Sequence, residues 1–164
     1  MVSDGVHVLV ALALVTAFSD ARRPEPYLVA ALAATFPDLD VYLFPAMSRL
    51  GYVHGIAWTH RALTHSLFAG VVVVAALSLL GPWRAAALGF FSHVALDALT
   101  GGVRLLAPVA SEVYGVSLGW VLLNVLASVS AVAVILARLF SLRGEATADR
   151  TRSAEAGAFA DRFD

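Results

Sequence analysis

Apolar residues run in five stretches along the chain, at residues 6–18, 27–44, 66–80, 83–99 and 116–140. Each predicts a helix. Only the last comfortably exceeds the ~20 residues needed to cross ~30 Å of hydrocarbon. The first is short enough that a buried or half-inserted helix is the alternative to a full crossing. The breaks are well marked: residues 19–26 hold two Arg and two Pro, Gly81-Pro82 is a turn signal, and Thr100-Gly101-Gly102 ends the fourth stretch. Residues 45–65 form a longer connection with Arg49, Gly51, Gly55 and Trp58, suited to lie at a membrane interface. From Ser141 the chain turns to charge, Ala and Thr and reads as a disordered tail. The expectation is an all-α, polytopic membrane helical bundle of about five helices over residues 1–140, followed by a disordered cytoplasmic tail over 141–164.

Composition supports lipid as the solvent. Hydrophobic residues make up 60% of the 164 and charged residues 14%, against roughly a quarter charged in soluble domains. Mean hydropathy is +0.81. So apolar a chain lacks the polar groups to cover a water-facing surface. The net charge of −1 gives no reason to expect nucleic acid, and the absence of cysteine excludes disulfides and thiolate ligands. Asp4 and the lack of Arg before the first stretch argue against a signal peptide, so that stretch is expected to be a retained helix. In the fifth stretch Ala127 and Ala131 have the spacing that lets helices approach closely, and Asn124 reads as an interhelical hydrogen-bond donor.

Against this background the polar residues inside or beside apolar segments stand out, because each is costly there without a partner. His7 opens the first stretch. Asp38 and Asp40 lie in the second, His60 and His65 open the third, and His93 and Asp97 lie in the fourth. His93 and Asp97, at i and i+4, are about 40° apart on a helix, and Thr100 extends their stripe. That spacing suits two ligands of one metal, or a ligand and the carboxylate that orients it; a buried pair that packs helices is the plainer reading. Asp38 and Asp40 repel unless a cation or proton is shared, or they serve as a cap or turn. His60 and His65 share a metal only if a helix starts between them or the site is wide, and otherwise read as interfacial. His54 matches no cluster and reads as a loop residue.

If all five stretches cross, these clusters fall on one side of the membrane. Oxygen and imidazole donors together suit zinc, manganese or iron, and seven candidates are enough for more than one ion. Arg22, Arg23, Arg84, Arg138, Arg143, Arg150 and Arg152 fall on the other side, against Arg49, Arg61 and Arg104 on the cluster side. The positive-inside rule then places the cluster and the N-terminus outside and the tail in the cytoplasm.

The order of these residues resembles a bacterial and archaeal family of inner-membrane proteins, YdjM-like and LexA-regulated in its enterobacterial member, classed as metal-dependent hydrolases. The resemblance rests on Gly5-Val6-His7, Pro37-Asp38-Leu39-Asp40 and His60-Arg61-Ala62-Leu63-Thr64-His65-Ser66. It continues through Ser92-His93, Asp97 and Leu99-Thr100, and ends on Gly102, Leu105-Leu106 and Pro108. Ala62 stands where Gly is usual, and the Thr100-Gly101-Gly102 turn is one residue short. The same order is distantly similar to the zinc-dependent phospholipase C and P1-nuclease group, although the fifth stretch offers no further His or acid.

The resemblance implies a membrane-embedded, metal-dependent hydrolase acting on a phosphoester, with a phospholipid as one form of it, at the extracytoplasmic face. The expected metal ligands are His7, Asp38, Asp40, His60, His65, His93 and Asp97, holding a divalent ion, zinc foremost. Asp38 or Asp40 would take a proton from water, with Arg61 also in the catalytic set. Arg61, Thr64, Ser66, Thr100 and Arg104 would contact substrate, Arg being suited to phosphate. The alternative is a non-catalytic membrane protein with a structural metal site, or a metal or proton transporter. A transporter should carry polar groups onward toward the cytoplasm, and few are present.

Overall fold

The computed structural model describes residues 2–19 and 23–160; Arg22, part of the charge count, and residues 161–164 of the tail lie outside it. Among the described residues the fold is all helical. Six α-helices follow in order: α1 Asp4–Phe18, α2 Glu25–Thr35, α3 Asp40–Arg49, α4 Leu67–Leu77, α5 Trp83–Leu99 and α6 Trp120–Ala160. Short 3-10 turns occupy Pro37–Leu39, Ile56–Trp58 and Leu63–His65.

The second apolar stretch is two helices. Pro37 has no N–H to donate and its ring crowds the preceding turn, so the helix yields to a 3-10 turn there. α2 and the segment Pro37–Arg49 are bent by 42° at this break. On a straight helix Asp38 and Asp40 would point about 160° apart. Across the bend both are buried.

α5 is the central helix. Its buried residues are Ala85, Ala86, Gly89, Phe90, His93, Val94 and Asp97, one continuous helical face. The first two turns of that face carry Ala85, Ala86 and Gly89, and its last turns carry the His–Asp pair. Gly89 allows the closest approach, since a Cβ there would run into the Ala30 carbonyl of α2. Ala30, Ala33 and Ala34 line the α2 side, each fully buried. Small residues at a helix interface let backbones meet. α1 completes the layer with His7, Ala11 and Val15, spaced four apart on its buried face. α4 packs on α5 through Gly70, against the rings of Phe90 and Phe91.

α6 lies along α1, and most of its described side chains are exposed. Ala131 is buried at the α1 contact, while Leu122, Val129 and Phe140 are more than 60% exposed. It is the one helix among the described residues long and apolar enough to cross a membrane by itself, and the bent α2–α3 pair qualifies only if counted as a single broken span. α1, α4 and α5, with 15, 11 and 17 residues, fall short of the ~20 expected of a span.

Two boundaries differ from the sequence reading. Residues 116–119, expected to open the fifth helix, instead return to the end of α5: Val116 donates to Ala98 O at 2.8 Å and Leu118 to Leu99 O at 2.9 Å. These bonds satisfy carbonyls that the last turn of α5 leaves open. The segment from Ser141, expected to be disordered, continues α6 as far as Ala160. Ala and Arg, its commonest residues, are strong helix formers, which local charge alone does not reveal.

Candidate metal centre

The four polar clusters converge at one end of the bundle. Asp38 Oδ1, His65 Nε2, His93 Nε2 and Asp97 Oδ2 face one point. His65 Nε2 is 3.2 Å from Asp97 Oδ2, 3.3 Å from His93 Nε2 and 3.6 Å from Asp38 Oδ1. His93 Nε2 is 3.5 Å from Asp38 Oδ1 and 3.8 Å from Asp97 Oδ2. A tetrahedral ion with bonds of about 2.0–2.1 Å requires its ligands to stand about 3.3 Å apart. The five distances bracket that value. All four residues are buried.

The hydrogen bonds behind the imidazoles aim them. His93 Nδ1–H donates to the Ala34 carbonyl at 2.6 Å, which leaves Nε2 with its lone pair toward the cluster. This bond depends on the close α2–α5 packing at Gly89 and Ala30. Behind His65 runs a relay. Thr64 Oγ1 donates to Asp40 Oδ2 and accepts from His65 Nδ1–H at 3.1 Å, while His60 Nδ1–H donates to Asp40 Oδ1 at 2.8 Å. A neutral imidazole has one donor and one acceptor nitrogen. His65 therefore offers Nε2 to the cluster when Nδ1 carries the proton.

Asp40, His60 and His65 form a second group close enough to hold an ion. Asp40 already accepts from His60 and Thr64, and a second ion would need the Nδ1 that His65 uses as a donor. Asp40 and His60 are thus placed behind His65, as an orienting carboxylate and its support, and not at the same point as the four.

His7 lies against the centre. Its ring stacks on His93 with centroids 3.7 Å apart, and Nε2 is 3.7 Å from Asp97 Oδ1. Both His7 ring nitrogens, both Asp38 carboxylate oxygens and Asp97 Oδ2 are buried without a hydrogen-bond partner. So many orphaned polar atoms at one buried point are costly unless something binds there. The donor set and the spacing both fit a divalent cation of the zinc, manganese or iron type.

Without an ion, the carboxylates act on His65. Burial works against its charge, but Asp38, Asp40 and Asp97 outweigh that and hold its pKa up to about 10. A proton on His65 then stands where a metal would.

Arg61 closes the other side of Asp97. Its Nη2 donates to Asp97 Oδ1 at 2.7 Å and to Thr100 Oγ1 at 3.2 Å. Arg61 has a φ of 63°, the left-handed region that side chains other than Gly rarely adopt. Backbone strain of this kind tends to gather at functional sites. Arg104 N donates to the Arg61 carbonyl at 2.9 Å and holds the strained turn in place. Ala62, where the family pattern favours Gly, has a φ of −109° and a ψ of −107°.

Ser66 sits apart from this chemistry. Fully buried, it caps α4, accepting from Ala69 N at 3.1 Å and donating to Leu63 O at 2.7 Å. Thr64 and Thr100 bond cluster carboxylate and guanidinium respectively. His54 is exposed. Sequence reasoning missed Ala34, whose contribution is a carbonyl and leaves no trace in residue type, and Asp4 at the start of α1, whose carboxyl meets that of Asp38. A cavity of about 730 Å³ between Phe18, Pro26, Trp83, Arg84 and Phe91 shares no residue with the centre.

No curated protein and no solved structure matches the chain, so the similarity to phospholipase C and P1 nuclease rests on residue order alone. The family model described as YdjM inner membrane protein matches residues 1–160. The chain belongs to the YdjM family of inner membrane proteins.

Proposed function

We propose that the chain is a multi-pass inner-membrane hydrolase that uses one divalent metal ion, zinc foremost, to cleave a phosphoester at the extracytoplasmic face. The observation that carries this reading is the tetrahedral spacing of Asp38, His65, His93 and Asp97. Membrane embedding beyond α6 is supported by the outward faces of the shorter helices, where Leu28, Phe68 and Val71 are each at least 60% exposed. Helices shorter than the hydrocarbon are accommodated by local thinning of the bilayer.

A divalent ion bound at the centre would polarise a phosphoryl oxygen and lower the pKa of a water. The chain's own residues supply the rest. Asp38, whose Oδ1 is the oxygen turned to the cluster, has its Oδ2 left to accept a proton from water and is the better candidate; Asp40 is already engaged by His60 and Thr64. Arg61 has donors beyond those on Asp97 and Thr100, and its side chain is 15% exposed, so it can reach an anionic phosphate. Arg104 Nε is buried without a partner beside it. His7 shields Asp97 and His93 on the α1 side.

One observation favours a second reading, a structural metal site. Four protein donors can close a tetrahedron completely, as structural zinc sites do, whereas catalytic sites keep a position open. The experiment that separates the two loads the detergent-purified chain with zinc or manganese and screens phospholipids and soluble phosphoesters with and without chelator. The hydrolase reading expects turnover that the chelator removes and His93→Ala abolishes. Tight metal binding with no turnover across the panel would establish the structural reading instead.

A further inference from the structure

The four residues of the metal centre are almost sealed from solvent. The side chains of His65 and Asp97 are 0% exposed, that of His93 1% and that of Asp38 7%. An ion that binds there needs a way in. Three sides of the centre are poor routes. On one, the Arg61 guanidinium lies against Asp97 Oδ1, with Arg104 bonded to the same turn, and a divalent cation is repelled. On the second, the relay of His65 Nδ1, Thr64 and Asp40 stands in front of the cluster. On the third, the stacked ring of His7 covers His93.

The start of α1 is different. Asp4, in its first turn, is exposed, and its carboxyl meets that of Asp38. Asp38 is the least buried of the four ligands, and neither of its oxygens has a hydrogen-bond partner. Its Oδ1 faces His65 and His93. One carboxylate thus touches both the buried cluster and an acid at the surface. Two carboxylates in contact repel unless a cation or a proton lies between them. The approach is open at the next residue: a Cβ on Gly5 would meet no more than Ser3 Oγ, at 3.8 Å, among the described residues outside its own turn. The turn is also anchored, since Ser3 N donates to Asn124 Oδ1 of α6 at 2.9 Å.

We infer that Asp4 and Asp38 form an outer, transient binding point through which a divalent cation enters and leaves the buried centre. The ion is first held between the two carboxylates, with water in its remaining positions. It then passes to Asp38 Oδ1, His65, His93 and Asp97 while Asp4 lets go. Asp4 therefore sets the rates of exchange and not the affinity. This rests on the metal centre above, whether that centre is hydrolytic or structural.

Cobalt(II) is the probe, because it accepts the same oxygen and imidazole donors and absorbs strongly when tetrahedral. The full chain in detergent, stripped of metal, is mixed with cobalt(II) in a stopped-flow cell, and the growth of the band gives the loading rate. Excess EDTA gives the release rate, and equilibrium titration gives the affinity. Asp4→Asn should slow loading and release together, by about tenfold or more, with affinity within about threefold of wild type. Asp4→Glu, which keeps the carboxylate, should restore most of both rates. Glu25→Gln, at the far end of α2 from Asp38, controls for overall charge and should alter neither rate. Wild-type loading in Asp4→Asn would overturn the inference. So would an affinity lowered about tenfold or more, which would make Asp4 a ligand of the bound ion. In both cases the metal centre stands. A wild-type chain that gives no cobalt band would overturn the metal centre and the inference with it.

Discussion

His93 is held at both ends of its ring, by the Ala34 carbonyl on Nδ1 and by the cluster on Nε2. His93→Ala and Asp97→Asn should each lower metal affinity about 10–100-fold, measured by chelator competition, with the helical circular dichroism signal retained. His54→Ala, at an exposed loop position, should leave affinity unchanged. His65 makes a prediction in pH. With a pKa held up to about 10 in the ion-free protein, it carries a proton that a metal must displace. Affinity should therefore rise with pH, roughly tenfold per unit between pH 7 and 8.5. The sign for stability is opposite. The carboxylate contacts of protonated His65 stabilise the ion-free fold in full below its ordinary value of 6.5, and that contribution is lost as pH rises through about 10. A pH-independent affinity would show that His65 is not displaced by the ion. At this scale the sequence was informative where residues share one helix: the i, i+4 spacing of His93 and Asp97 needs no tertiary knowledge. It could not rank Asp38 against Asp40, because the bend at Pro37 decides which carboxylate faces the ion and which backs His65.

Among the elements, the α2–α5 contact sets the position of three ligands at once. α2 leads into Asp38 and supplies the Ala34 carbonyl, and α5 carries His93 and Asp97. Gly89→Ala would push a methyl into the Ala30 backbone and spread the two helices. Overpacking of this kind costs about 1–3 kcal/mol, and here it should also weaken metal binding although no ligand is touched. Gly119→Ala, where a Cβ meets nothing within 4 Å, is the matched control and should alter neither melting temperature nor affinity. Unchanged affinity in Gly89→Ala would separate the metal centre from the helix packing. The small residues responsible were in plain view in the sequence, but Ala and Gly are common in every apolar stretch. Only the register between two helices distinguishes Gly89 from its neighbours. The break inside residues 27–44 was hidden for a related reason: apolar composition continues across Pro37 while the helix does not.

Across the whole molecule, composition and family agree on the membrane, whereas the number of crossings follows from helix length and is the least visible property of the sequence. One helix is long enough alone, and the rest depend on how the bilayer meets shorter apolar faces. The proposed orientation rests on arginine, whose excess falls on the side away from the metal centre if all five apolar stretches cross. A reporter fused after Arg143 should read as cytoplasmic; a periplasmic reading would reverse the orientation and turn the centre inward. The central claim, that buried His and Asp residues from α1 to α5 form one metal site, is tested most directly by metal stoichiometry. The full chain, purified in detergent and dialysed after loading with zinc, manganese or iron, should retain one equivalent of a divalent ion by mass spectrometry of the elements. Wild-type protein that retains no more metal than the His93→Ala, Asp97→Asn double variant would contradict it.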